Sequence, residues 1–144
     1  MGAPFVEITH SEEFSASHRL HNARWTAAKN RRIYGICNNL HGHNYAVQVT
    51  VRGTLDSSSG MVMNLTDLMT AMRARLIDPV DHKSLDRDVP FLRGKVTTAE
   101  NVVVAFWTEL EPALRKFKTC RLHRIRLYES RNNFVDYLGP DPSI

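Results

Sequence analysis

His41 and His43 stand two residues apart, shortly after a thiol, in the run Cys37-Asn38-Asn39-Leu40-His41-Gly42-His43-Asn44-Tyr45. Along an extended chain alternate side chains share a face, so both imidazoles project the same way. Two imidazoles on one side of a stiff ribbon can grip one divalent ion. Catalytic zinc takes three protein ligands and leaves a position open, so a third ligand must come from elsewhere. His18 is the candidate. Taken alone it reads more readily as a core histidine with a hydrogen-bond partner. Three imidazoles on apolar faces make the ligand reading stronger. Cys37 adds a sulfur that a nearby cation would favour as thiolate.

Two further groups carry chemistry. In Asp81-His82 a carboxylate beside an imidazole can orient and charge the ring. Glu129 ends an apolar strand face with His123, Ile125 and Leu127. Exposure at a strand end is the plain alternative for Glu129, as a chance surface pair is for Asp81-His82.

The elements that must position these groups follow from periodicity. Residues 5–20 predict a strand with Phe14, Ala16, His18 and Leu20 on one side. Residues 21–39 show no strand pattern, with a short helix over Thr26–Arg32, and a connection this long is usually functional. His43, Tyr45, Val47, Val49 and Val51 line one face of a second strand. Asp56–Gly60 is a turn and Met61–Met63 resumes an extended path. Asn64 caps a helix with Leu65, Leu68, Met69, Met72 and Leu76 on its buried face, closed by Pro79. Residues 80–96 read as irregular. Thr97-Thr98-Ala99-Glu100 has the pattern of a capping box, which by itself accounts for Glu100. The helix it opens should kink or restart at Pro112. Leu122–Glu129 and Phe134–Leu138 form a last pair of strands around a turn at Ser130–Asn133. The order β-β-α-α-β-β predicts a single α+β domain over residues 1–144, a four-stranded antiparallel sheet with two helices on one face. Its free edges invite oligomerisation.

Composition limits the function classes. The chain has 144 residues, 42% of them hydrophobic and 24% charged, which suits one soluble domain. No apolar run reaches membrane-spanning length and no signal-peptide pattern opens the chain, so a cytosolic location is expected. Cys37 and Cys120 make a poor disulfide framework. The net charge of +4 admits a polyanionic partner. The basic residues form no tract, and no base-reading or aromatic-plus-basic signature supports nucleic acid as that partner.

The ordered motifs Phe14-Ser-Ala-Ser-His-Arg-Leu20, Cys37-Asn-Asn, His41-Gly-His-Asn-Tyr45, Gly60-Met-Val-Met-Asn-Leu65, Asp81-His-Lys-Ser-Leu-Asp86, Thr97-Thr-Ala-Glu-Asn101 and Tyr128-Glu-Ser-Arg-Asn-Asn133 resemble the 6-pyruvoyl-tetrahydropterin synthases and the related 6-carboxy-tetrahydropterin synthases. The resemblance implies the tunnelling fold, with trimers pairing as hexamers and active sites at subunit interfaces. It implies zinc on His18, His41 and His43, and a pterin ring anchored by Glu129 with help from Thr98 and Glu100. Cys37 would be the general base, with Asp81 and His82 relaying a proton from the same or a neighbouring subunit. The implied substrate is 7,8-dihydroneopterin triphosphate, released as triphosphate and 6-pyruvoyl-tetrahydropterin by a carbon–oxygen lyase of tetrahydrobiopterin synthesis. Lys29, Arg31 and Arg32 are candidates for the triphosphate by position.

Three residues separate Cys37 from His41, where animal pyruvoyl formers typically have five. That spacing resembles the 6-carboxy enzymes of queuosine synthesis, while the flanking motifs resemble the pyruvoyl formers. A third reading makes zinc purely structural in a binding protein, with Cys37 closing a four-ligand site.

Overall fold

The computed structural model describes residue 2 and residues 4–140. Its centre is a five-stranded sheet in the order β3-β1-β2-β4-β5. β1 (Phe5–His18) and β2 (His41–Thr54) run antiparallel along their whole length, from Phe5 opposite Thr54 to His18 opposite His41. β4 (Cys120–Ser130) pairs with β2, and β5 (Asn133–Tyr137) returns along β4. β3 is only Lys83–Ser84, and it joins β1 in parallel.

The helices explain why one sheet face is dry. Asn64 caps α2 (Leu65–Met72) by accepting from Thr66 N–H at 2.9 Å. α2 and α4 (Ala99–Leu114) contribute Leu68, Met72, Val102, Val103, Phe106 and Leu110 to the core. These meet Phe14, Tyr45, Val47, Val49, Val51, Ile125 and Leu127 from the sheet. At roughly 1.5–3 kcal/mol per fully buried large apolar side chain, this layer is the main favourable term in folding. No helix among the described residues is long and apolar enough to cross a membrane.

Several expectations are corrected. The domain is α+β, but its sheet is five-stranded and mixed. Among the described residues it also carries three helices of eight or more residues: α2 and α4, the two expected on the sheet, and α1 (Ala27–Tyr34), which matches the short helix expected over Thr26–Arg32 but was not counted in the β-β-α-α-β-β order. The parallel strand β3 has two residues, too few to show a period. β1 ends at His18 rather than residue 20, and β2 begins at His41. Pro79 does not close α2. The helix widens into a π segment (Arg73–Ile77), with Asp78 N–H bonded to Arg73 O, and ends in the turn α3 (Asp78–Val80). Pro79 has no N–H to donate, and the wider turn precedes it. Pro112 lies two residues before the end of α4 and the helix is continuous through it. A bulge between Thr50 and Val51 moves β4 by one residue, so Leu122 faces the core. His123 instead stands 3.4 Å from Glu7, off the apolar face where alternation put it.

Candidate active site

The strand register assembles the imidazoles. His18 lies directly opposite His41, and His43 lies opposite Ala16, so three rings occupy one face at one end of the β1–β2 ribbon. The ring centroids are 4.7 Å (His18–His41), 5.2 Å (His18–His43) and 4.9 Å (His41–His43) apart. One nitrogen from each lies within 4.8 Å of the other two.

The backbone sets which nitrogens face inward. His18 Nδ1–H donates to Thr97 O at 2.8 Å, and His41 Nδ1–H donates to Asn39 O at 2.7 Å. Both rings therefore keep an Nε2 lone pair for the cluster, as second-shell carbonyls do for metal-bound histidines. His43 Nε2 is buried without a hydrogen-bond partner. Burial, the largest influence, pulls His18 and His43 below the ordinary imidazole range, helped by the neighbouring His41 and opposed by Glu129. Neutral rings with converging lone pairs, one of them orphaned, can hold a metal ion. Cys37 is not part of this cluster.

Thr97 and Asp86 brace the site from behind. Thr97 is fully buried; its hydroxyl donates to Asp86 Oδ1 at 2.7 Å while its carbonyl takes the His18 proton. Asp86 Oδ2 accepts from Arg19 N–H at 2.8 Å. The capping residue of α4 is accordingly Thr98, whose hydroxyl accepts from Asn101 N–H at 3.2 Å, and not Thr97. Thr97 and Asp86 were not expected at the site from sequence, although both lie inside the chain's ordered motifs. Nor was Tyr45, whose hydroxyl sits 3.4 Å from the His18 ring nitrogens. Burial, with the charges of Glu129 and Asp86, pushes the Tyr45 phenol far up, so it stays a neutral donor.

Glu129 faces the imidazoles: its oxygens are 4.0 Å from His18 Nε2 and 3.9 Å from His43 Nε2. The β4–β5 register skips between Tyr128 and Ser130, which leaves Glu129 free of strict alternation. Glu129 shares a cleft of about 270 Å³ with Leu20, Thr98, Glu100, Asn133 and Phe134. The three residues expected to grip a substrate ring, Thr98, Glu100 and Glu129, are thus brought to one opening beside the histidines. Cys37 lies in a 3-10 turn, Gly35–Asn38, and is half-buried. Its carbonyl accepts from Leu20 N–H at 2.9 Å and Asn38 Nδ2 donates to Leu20 O at 2.8 Å, which ties this turn to the cleft wall.

Asp81 and His82 are not in the Glu129 cleft; His82 lines a separate cleft of about 540 Å³ with Ser15, Ser17, Asn44 and His43. Asp81 Oδ1 accepts from Ser15 N–H at 2.9 Å and stands 3.0 Å from His82 Nδ1. The Ser15 amide, first among the causes, holds the Asp81 carboxyl below its usual range. His82 has a φ of 61° and its side chain is 82% exposed, on the far edge of β1. Lys29 stacks on Trp25 at 4.4 Å, and Arg31 and Arg32 are exposed on α1.

Comparison with known proteins gives this geometry its context. A family model described as 6-pyruvoyl tetrahydropterin synthase matches residues 7–140. The chain is 42% identical over 134 residues to the 6-pyruvoyl tetrahydrobiopterin synthase of Dictyostelium discoideum, covering 93% of this chain and 96% of that one. It superposes on the 6-pyruvoyl tetrahydropterin synthase of Caenorhabditis elegans with a TM-score of 0.89 at 37% identity, over 96% of this chain and 98% of the other. It is more distant, 28% identical over 72% of its length and 84% of the other's, from the 6-carboxy-5,6,7,8-tetrahydropterin synthase of Haemophilus influenzae. With a histidine cluster, a facing carboxylate and a match along nearly its whole length, this chain belongs to the 6-pyruvoyl tetrahydropterin synthase family.

Proposed function

We propose that the protein is a lyase that converts 7,8-dihydroneopterin triphosphate to 6-pyruvoyl-tetrahydropterin and triphosphate, with zinc on His18, His41 and His43. The observation that carries this reading is the carboxylate of Glu129, 3.9 Å from His43 and 4.0 Å from His18, in one cleft with Thr98 and Glu100. A pterin's pyrimidine edge offers neighbouring N–H donors, and a carboxylate accepts such a pair in two parallel bonds. A ring held there directs its side chain toward the imidazoles. The three nitrogen donors suit zinc, which when bound would act as a Lewis acid on the side-chain hydroxyls and make adjacent C–H and O–H protons more acidic.

The chain's own groups then move protons. Cys37, on the turn tied to Leu20, is the base that takes a side-chain proton. Departure of triphosphate with the displaced electron pair leaves an enol that becomes one ketone. The second hydroxyl carbon becomes a ketone as its electrons pass to the ring's C6–N5 bond, so no outside oxidant is needed. His82, oriented by Asp81, returns a proton. Because His82 is exposed at the far edge of β1, this reading takes the Asp81–His82 pair from a neighbouring copy in a homo-oligomer of paired trimers.

A second reading, 6-carboxy-tetrahydropterin formation, rests on the short spacing from Cys37 to His41. A purely structural zinc site needs Cys37 as fourth ligand, and Cys37 lies outside the ligand cluster. The test is incubation of zinc-loaded protein with dihydroneopterin triphosphate. Triphosphate with a product of pyruvoyl mass is expected. Acetaldehyde with a product of carboxy mass selects the second reading, and no triphosphate rejects both.

A further inference from the structure

A cleft of about 860 Å³ has a different character from the one beside Glu129. Arg19, Arg24, Arg87 and Lys95 line it, brought from three separate stretches of chain. None of these four has a carboxylate within 4.0 Å among the described ion pairs. The one acid in the cleft, Asp86, already accepts from Thr97 Oγ1 and Arg19 N–H. Unpaired cations that converge on one hollow create a field for an anion of several charges.

The backbone beneath these cations is fixed. Asn30 is fully buried and donates from Nδ2 to Asn22 O at 3.0 Å and Thr26 O at 3.1 Å, while its Oδ1 accepts from Asn22 N–H at 2.7 Å. Asn22 Oδ1 in turn accepts from Arg24 N–H at 2.9 Å. Arg87 N–H donates to Ser84 Oγ at 3.3 Å. Lys95 follows Gly94, whose φ of 79° makes the turn, and its N–H donates to Leu92 O at 3.1 Å.

The position of the cleft gives the ligand. Its walls include Arg19, Leu40 and Val96, the immediate neighbours of His18, His41 and Thr97. The cleft beside Glu129 is walled by Leu20, the residue after Arg19, and by Thr98, which Thr97 separates from Val96. The two openings are thus built from neighbouring residues next to the histidine cluster, one carrying Glu100 and Glu129 and the other basic and wider. We propose that the basic cleft is a polyphosphate site, in which Arg19, Arg24, Arg87 and Lys95 hold the triphosphate of the substrate before cleavage and of the product after it. This deepens and rests on the function proposed above, and it moves the assignment away from Lys29, Arg31 and Arg32.

The experiment measures binding of inorganic triphosphate to the zinc-loaded protein by calorimetry, without turnover. Wild-type protein should bind it with an affinity that falls as salt rises. Charge-assisted bonds to phosphate oxygens make each lost guanidinium worth about tenfold in affinity. The pair Arg24→Ala with Arg87→Ala should therefore weaken triphosphate by about a hundredfold. The same variant should bind phosphate-free dihydroneopterin as wild type does and keep its Tm. Arg31→Ala with Arg32→Ala should change neither. An unchanged triphosphate affinity in the cleft variant, an equal loss in the α1 variant, or no binding by wild type overturns the proposal. Triphosphate bound through the cleft by a protein that releases none from dihydroneopterin triphosphate supports the site and rejects the function.

Discussion

His18 gives its Nδ1 proton to the carbonyl of Thr97 at 2.8 Å, across 79 residues of chain. Thr97 is in turn held by Asp86, so a carboxylate outside the histidine cluster fixes the orientation and tautomer of a ring inside it. Groups that hydrogen-bond the outer nitrogen of a metal-ligating histidine are typically worth 10–100-fold in metal affinity. Asp86→Ala and Thr97→Val should each weaken zinc about tenfold or more in chelator competition, and Thr97→Ser should restore it. Wild-type affinity in both would leave Asp86 a mere loop residue.

Acid should destabilise the metal-free protein earlier than surface carboxylates alone would cause. Burial holds His18 and His43 below the ordinary 6.5 in the folded chain. Below 6.5 the unfolded chain binds protons that the folded chain refuses, so stability is present above that value. It falls as pH drops, and levels off once the folded rings also protonate. Thermal unfolding of chelator-treated protein should show a Tm that declines from about pH 6.5 downward, and less steeply in His43→Gln. A Tm that stays level to about pH 5.5 contradicts the neutral assignment of both rings.

Glu129 should matter to the ring and little to the metal. Glu129→Gln removes the charge from a paired hydrogen bond worth roughly 1.5–3 kcal/mol. Dihydroneopterin binding, followed by fluorescence, should weaken by about 10–100-fold, with zinc content unchanged. Loss of zinc instead would make Glu129 a metal ligand.

How far the sequence foretold these sites depends on the period of each element. β1 and β2 alternate cleanly, so His18, His41 and His43 were placed on inward faces by counting alone, and the antiparallel register then closed them together. β4 carries a bulge opposite Thr50 and Val51, and no pattern in residues 120–130 marks it; His123 was therefore put on the wrong face. β3 is two residues long and has no period to read. Thr97 and Thr98 are chemically alike, and only tertiary contacts assign one to Asp86 and the other to the helix cap. The basic cleft draws on four segments of chain, which no window of sequence brings together.

Cys37→Ala should abolish triphosphate release and leave zinc bound, because Cys37 lies outside the ligand cluster. Cys37→Ala and His82→Ala proteins should each be inactive alone. Unfolded together and refolded as a mixture, they should regain part of wild-type activity, since a mixed oligomer contains sites with an intact thiol and an intact imidazole from different copies. A mixture as inactive as its components would place both groups in one chain's site.

The two bonds that flank β3, His82 N–H to Ser15 O at 2.7 Å and Leu85 N–H to Ser17 O at 2.9 Å, seat the run from Asp81 to Asp86 on the last residues of β1. That short bracket carries Asp81 and His82 at one end and, at the other, Asp86, which braces His18 through Thr97. In the function proposed above, where His82 serves a neighbouring copy, a change in the hold on His18 would reach that group over the four peptide links from Asp86 to His82. Metal loading and communication between neighbouring protomers would then be mechanically joined, with the join no longer than a single pair of sheet bonds.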